Sequence, residues 1–244
     1  MSLKKINSAL KDFLLFSRIG LLLKPLKGYF KFVGNFSELS GWVNRQHKNV
    51  KYTDFYKPAR VYRNRENLYA HVSETEGLKN KPVQYYEFGV ASGNSFRWWL
   101  NENKDPKSLF YGFDTFEGLP EDWHFYKKGD MSFEIPEMND SRANFIRGLF
   151  QNTFFAFLKS STPNENVKVI HMDADLYSST LFILTAFAPY LKVGDIIFFD
   201  EFNVPNHEFA AWNDFVRSYY VDYEVLGAVN NYYQIALKYK GIKL

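Results

Sequence analysis

Cysteine is absent from the 244 residues, so the chain can have no disulfide framework, no thiolate-held zinc or iron–sulfur centre and no cysteine nucleophile. Any metal must sit among oxygens or imidazoles. Long apolar runs are missing too: none approaches the roughly 18 to 20 residues needed to span a bilayer, and Arg18 interrupts the longest stretch. Asp12 and Arg18 also break the apolar centre that a signal peptide needs, and Ser17-Arg18-Ile19-Gly20 offers no clean cleavage site, so a cytoplasmic chain is expected. Neither the GxGxxG dinucleotide fingerprint nor the GxxxxGK[ST] phosphate cradle occurs. Acidic residues are scarce at the start, where residues 1–60 hold 12 Lys/Arg against 3 Asp/Glu, although the whole chain has 30 against 27. The body is therefore mildly acidic and carries no base-flipping motif, which argues against a nucleic-acid partner.

What is plentiful is apolar and aromatic material, at 46% and 19% of residues, enough for a sizeable core. In the basic segment, Ile6, Leu10, Phe13, Leu14 and Leu21 recur at helical spacing among Lys4, Lys5, Lys11 and Arg18. The pattern predicts a basic amphipathic helix, and we divide the chain into a helical segment, 1–60, and a main domain, 61–244. A lid or homodimer element packed on the main domain is the favoured reading of the segment. Contact with a membrane surface is the less favoured one.

From Pro82 onward, short apolar runs alternate with helical patterns, the signature of an α/β fold with a mostly parallel, Rossmann-like sheet. Strands are expected at Val83–Glu87, Leu109–Asp114, Asn144–Arg147, Val167–Asp173 and Ile196–Asp200. Helices are expected at Ser95–Asn101, Thr153–Ser160 and Thr180–Leu191, the last capped by Ser178 or Ser179. Tyr223–Leu226 and Tyr233–Tyr239 flank Asn230-Asn231 as a terminal antiparallel hairpin. Four of the five strands close on Glu87 with Gly89, Asp114, Asp173 with Asp175, or Asp200 with Glu201. In an open α/β sheet the carboxyl ends of the strands border the ligand crevice, so these groups should converge there.

Glu87-Phe88-Gly89-Val90-Ala91-Ser92-Gly93 follows the first strand and precedes a helix. Its glycines permit close backbone approach, and an acid before GxxxG suits a cofactor with a cationic amino-acid portion. Asp114, at the end of the next strand, can accept hydrogen bonds from both hydroxyls of a ribose. Glu87, Gly89, Ser92, Gly93 and Asp114 are therefore the expected contacts for S-adenosyl-L-methionine.

Three blocks carry a resemblance: Tyr86-Glu87-Phe88-Gly89-Val90-Ala91-Ser92-Gly93, Tyr111-Gly112-Phe113-Asp114-Thr115-Phe116-Glu117-Gly118-Leu119-Pro120, and Met172-Asp173-Ala174-Asp175-Leu176-Tyr177-Ser178-Ser179-Thr180. Over residues 82–240 the chain resembles the macrocin O-methyltransferase family of class I methyltransferases. Its better-known members methylate sugar hydroxyls of macrolide and aminocoumarin antibiotics with magnesium, so the resemblance implies O-methylation of a saccharide or other small-molecule acceptor.

Asp173, Asp200 and Glu201 are strand-end carboxylates with no cysteine or close histidine pair nearby, a donor set suited to octahedral Mg²⁺. The resemblance implies the same ligands, with one departure. The family usually has two adjacent aspartates where this chain has Asp200-Glu201, so the longer Glu201 side chain must fold back to reach an ion. Chelation of two vicinal oxygens would orient a sugar diol and acidify the attacking hydroxyl. Asp173 is the first choice of base, with His171 and Asp175 as alternatives on the same face; a buried structural role suits His171 equally. His124 and His207 lie in loops that could border the substrate, and Phe116, Trp123, Phe125 and Tyr126 are candidate walls of the acceptor pocket. Two other readings stay open: a catechol-type phenolic acceptor, and a non-catalytic cofactor- or glycan-binding homologue.

Overall fold

A computed structural model describes residues 3–123, 125–161 and 164–243 of the chain. Seven strands form one mixed sheet in the order β3-β2-β1-β4-β5-β7-β6: β1 (Val83–Phe88), β2 (Leu109–Asp114), β3 (Ala143–Arg147), β4 (Val167–Met172), β5 (Ile196–Phe199), β6 (Val221–Val229) and β7 (Gln234–Ile242). The first five are parallel, and β7 runs antiparallel between β5 and β6. This is the expected Rossmann-like sheet with its C-terminal hairpin. The five expected parallel strands appear within a residue of their predicted bounds, β6 and β7 each run three residues past their predicted ends, and Asp173 and Asp200 fall just past β4 and β5.

Alternation sorts the strand side chains onto two covered faces. Tyr86, Phe88, Phe113, Met172 and Phe199 pack on one face with Phe154 from α5 (Phe150–Ser160), Phe187 from α6 (Tyr177–Phe187) and Trp212 from α7 (Glu208–Tyr219). Tyr85, Phe110, Val169 and Phe198 pack on the other with Tyr69 from α3 (Asn64–Thr75) and Trp99 from α4 (Asn94–Glu102). All six residues of β1 are buried, as befits a central parallel strand. The cap expected from Ser178 or Ser179 is not formed. Helix α6 begins at Tyr177, three residues early, behind Leu176, which makes no side-chain cap bond. Burial of Ile183, Leu184 and Phe187 positions this helix instead.

The N-terminal segment is three pieces where one helix through Leu21 was expected: α1 (Leu3–Phe16), a 3-10 stretch (Ile19–Leu26) and α2 (Lys27–Gln46). The break falls where Arg18 adopts a left-handed conformation and Pro25 follows, a residue that cannot continue the backbone ladder. No residue of α1 or of the 3-10 stretch is buried. Contact with the body begins along α2, first through polar contacts of Lys31 and Asn35 and then where Leu39 and Trp42 enter the main core. Among the described residues no helix is long and apolar enough to cross a membrane.

Candidate active site

The β1, β2, β4 and β5 registers align Phe88, Phe113, Met172 and Phe199, so the residues that follow them emerge along one edge. Sheet order reverses between β1 and β4, and crevices form at such switch points. A cavity of about 300 Å³ lies there. Gly89, Ala91 and Asp114 line one side, Asp173, Asp175, Asp200 and Glu201 another, and Leu119, Trp123, Met131 and Phe133 form an apolar wall.

Gly89 is fixed by geometry. Its φ is +94°, and a Cβ built there would lie 1.8 Å from the backbone oxygen of Asp173. Only glycine lets the loop after β1 lie against the end of β4. Asp114 organises the same loop: Oδ2 accepts the Val90 and Ala91 amides at 2.8 and 2.9 Å, and Oδ1 accepts the Phe116 amide at 2.9 Å. Ala91 and Asp175, both on the cavity lining, have positive φ without being glycine, which places backbone strain at the cavity wall.

Glu87 is fully buried behind the loop, accepting hydrogen bonds from Tyr85 Oη at 2.5 Å and Ser95 Oγ at 2.9 Å. Burial pushes its carboxyl up to about 8, against the lowering effect of those two donors. Glu87, Ser92 and Gly93 are not among the residues lining the cavity, whereas Gly89 and Asp114 are.

Asp173, Asp200 and His171 each bring a ligand-type atom within 4.8 Å of the others. Burial, then the charges of Asp200 and Asp175, push the Asp173 carboxyl well above the ordinary range. Burial and the neighbouring Glu201 and Asp200 raise Asp175 as well. Glu201 is pushed up to about 7 by burial. Its Oε1 takes the Tyr233 hydroxyl, and its Oε2 is buried with no hydrogen-bond partner among the described residues. His171 is held down to about 3 by burial and then by the Arg65 charge, so its ring is neutral. Both ring nitrogens are engaged, by Tyr85 Oη at 3.0 Å and Tyr69 Oη at 3.2 Å, and the residue does not reach the cavity lining.

Sequence reasoning missed Tyr233, which bonds Glu201, and two residues that touch Asp200. Tyr62 donates to Asp200 Oδ2 at 2.6 Å, and Arg65 Nη1 donates to Tyr62 Oη at 2.5 Å and lies 3.5 Å from both Asp200 oxygens. They arrive on a strap ending at α3 and stapled to the β6–β7 turn. Asn230 Oδ1 accepts the Val61 amide at 2.8 Å and Asn231 Oδ1 the Lys57 amide at 2.9 Å, while Asp54 accepts the Asn230 amide. The signal available was Asn230-Asn231 itself, read only as a turn.

Of the expected acceptor walls, Trp123 lines the cavity, and Tyr126 stacks on it with ring centroids 5.4 Å apart. Phe116 is buried to one side and Phe125 is 98% exposed. His207 stands at the start of α7, outside the lining, and His124 lies outside the described residues.

Residues 86–202 match a methyltransferase domain. That stretch runs from the glycine loop through Asp200 and contains most of the cavity. Among solved structures, the calicheamicin methyltransferase CalS11 superposes with a TM-score of 0.53 at 22% identity, covering 72% of this chain and 77% of that one. The O-methyltransferase NovP superposes with a TM-score of 0.54 at 18% identity, covering 75% and 79%. At these identities the likeness is one of fold. None of the curated proteins matches the chain.

Proposed function

We propose that the protein is an S-adenosylmethionine-dependent O-methyltransferase that uses Mg²⁺ and acts on one hydroxyl of a vicinal diol carried by a sugar or glycosylated small molecule. The observation that carries this reading is one cavity lined both by the Gly89–Asp114 loop junction and by the Asp173–Asp200 carboxylate pair. Cofactor-type and cation-type groups thus face the same space.

The donor set fits a hard cation. Asp173 and Asp200 offer carboxylate oxygens close enough to share an ion, and Glu201 keeps a buried oxygen without a partner, costly unless something occupies it. Asp173, Asp200 and Glu201 would hold Mg²⁺, and Gly89 and Asp114 would contact the cofactor. When bound, S-adenosylmethionine supplies the electrophilic methyl group and Mg²⁺ supplies charge that orients and acidifies the diol. Tyr62 and Arg65 orient Asp200 by direct donation, and the guanidinium offsets part of the negative charge packed around it. Asp173, raised in basicity by burial and then by its acidic neighbours, accepts the hydroxyl proton. Trp123 and Leu119 exclude water on the acceptor side.

The test is methyl transfer from labelled S-adenosylmethionine to a panel of sugar diols and catechols, with Mg²⁺ and with EDTA. Labelled sugar ether that disappears with EDTA and returns with Mg²⁺ is the expected result. Transfer undiminished in EDTA would remove the metal from the reading, and transfer to catechols alone would replace the acceptor class.

A further inference from the structure

Residues 3–36 carry a surface that the body does not use. We infer that this arm docks the protein on an anionic membrane surface, lying in the interface without crossing it. The inference is independent of the reaction proposed above.

In α1, Leu3, Ile6, Leu10, Phe13 and Leu14 form one apolar face at helical spacing, and each is between 43% and 79% exposed. Lys4 and Lys11 flank that face on one side and Lys5 on the other. Leu22, 75% exposed, continues the apolar surface through the 3-10 stretch, and the first half of α2 adds Tyr29, Phe30, Phe32 and Phe36, all exposed, interleaved with Lys27 and Lys31. Aromatic rings beside lysines are the composition of a membrane–water boundary, and a helix with an apolar face and lysine flanks lies along that boundary.

Charge chooses the occupant. Residues 3–36 hold seven Lys/Arg against one Asp, which leaves 23 against 26 for the rest of the total 30 and 27. Pairing this arm with the arm of a second copy would oppose two strongly basic segments. Anionic headgroups complement both the charge and the apolar face. The arm also leaves the body on the cavity edge of the sheet: Lys31 Nζ sits 4.9 Å from the Tyr177 ring centroid, just past β4, and Asn35 Nδ2 donates to Asn206 Oδ1 at 2.9 Å, past β5. Docking therefore brings the cavity edge towards the lipid.

The experiment is co-sedimentation of the full chain with vesicles of phosphatidylcholine alone or mixed with phosphatidylglycerol, at low and high salt. Binding to the phosphatidylglycerol vesicles alone, with release at about 1 M salt where the Debye length is about 3 Å, is expected. A triple variant, Lys4→Glu, Lys5→Glu and Lys11→Glu, should lower partitioning on the order of a hundredfold or more, at about 1 kcal/mol for each of the three basic residues lost. Leu10→Ser with Phe13→Ser should lower it as well, while Lys107→Glu on the body should not. None of the five arm residues is buried, so circular dichroism and melting should match the parent. Equal binding to neutral vesicles would overturn the anionic assignment. Absence of binding at any salt, with a dimer in solution that Leu10→Ser/Phe13→Ser dissociates, would assign the face to a second copy and overturn the inference outright.

Discussion

The arm and the body are made of similar side chains and use them in opposite ways. Phe88, Phe113, Phe154 and Trp212 are essentially inaccessible between sheet and helices, whereas Phe13, Phe16, Phe30 and Phe36 are all more than half exposed. The difference lies in what each element has opposite it. Strands β1, β2, β4 and β5 are bordered by neighbours whose own apolar residues face the same layer, and the helices close that layer. The arm meets the body only towards its end, through Lys31 and Asn35, just before Leu39 and Trp42 of α2 enter the core. Apolar content sets how much surface wants to leave water, and the pairing of elements decides what covers it.

The largest expected break between the two regions is chemical. Asp173→Asn should lower turnover by about 10²- to 10⁴-fold, the usual worth of a positioned proton acceptor, with the fold intact by circular dichroism. The same substitution should raise thermal stability near neutral pH. The folded-state pKa of Asp173 lies above the ordinary carboxylate value, so ionisation favours the unfolded chain above that ordinary pKa. A neutral isostere removes the penalty. Loss of activity with gained stability marks a group retained for chemistry. Unchanged turnover would take the base role from Asp173. No arm substitution carries a comparable cost: Phe16→Ser, at a residue 85% exposed, should leave turnover of a soluble acceptor within about twofold.

Packing is the next break. Trp212→Ala in α7 should cost about 3 to 5 kcal/mol by urea denaturation, because the ring is 1% exposed and the space it leaves can refill only in part. Leu22→Ser in the arm should stay within about 0.5 kcal/mol. A large loss at Leu22 would mean that the arm is packed in solution and would remove the contrast.

How far the site could be read in advance follows from the range of its interactions. Asp114, Asp173 and Asp200 were legible because each ends a short apolar run, and strand periodicity is a local property. Gly89 was legible as a turn, but its reason, the backbone oxygen of Asp173 where a Cβ would go, is a contact between two strands' ends and leaves no local trace. Tyr62 and Arg65 were illegible because hydrogen bonds to Asn230 and Asn231, across most of the chain, decide where their strap lies. Helix α7 was overlooked despite its local signal: Phe209, Trp212, Phe215 and Val216 recur at helical spacing. The placement of β7 between β5 and β6 depends on tertiary pairing that alternation cannot encode.

The smallest expected difference is electrostatic and contrasts one ion pair from each region. Asp140 and Arg142 meet at 2.8 Å on the approach to β3, both mostly shielded, and Arg142 also donates to the backbone oxygens of Leu100, Asn103 and Asp105. Lys11 and Asp12 meet at 3.5 Å in α1 with both side chains about two-thirds exposed. Hydrogen bonds from Arg142 hold the Asp140 carboxyl below its ordinary value. A depressed folded-state pKa contributes stability that is fully present above the unfolded value near 4, and is lost as pH falls through the folded value. Asp140→Asn should therefore lower stability by about 0.5 to 1 kcal/mol at pH 7, with the gap to the parent closing as pH falls below about 4. Asp12→Asn should shift stability by no more than a few tenths of a kcal/mol at pH 7, because solvent screens an exposed pair and the arm's fold rests on no buried neighbour. Urea titrations of the two variants beside the parent across this pH range measure both effects, and equal losses at the two positions would show that the Arg142 anchor adds nothing to the body's stability.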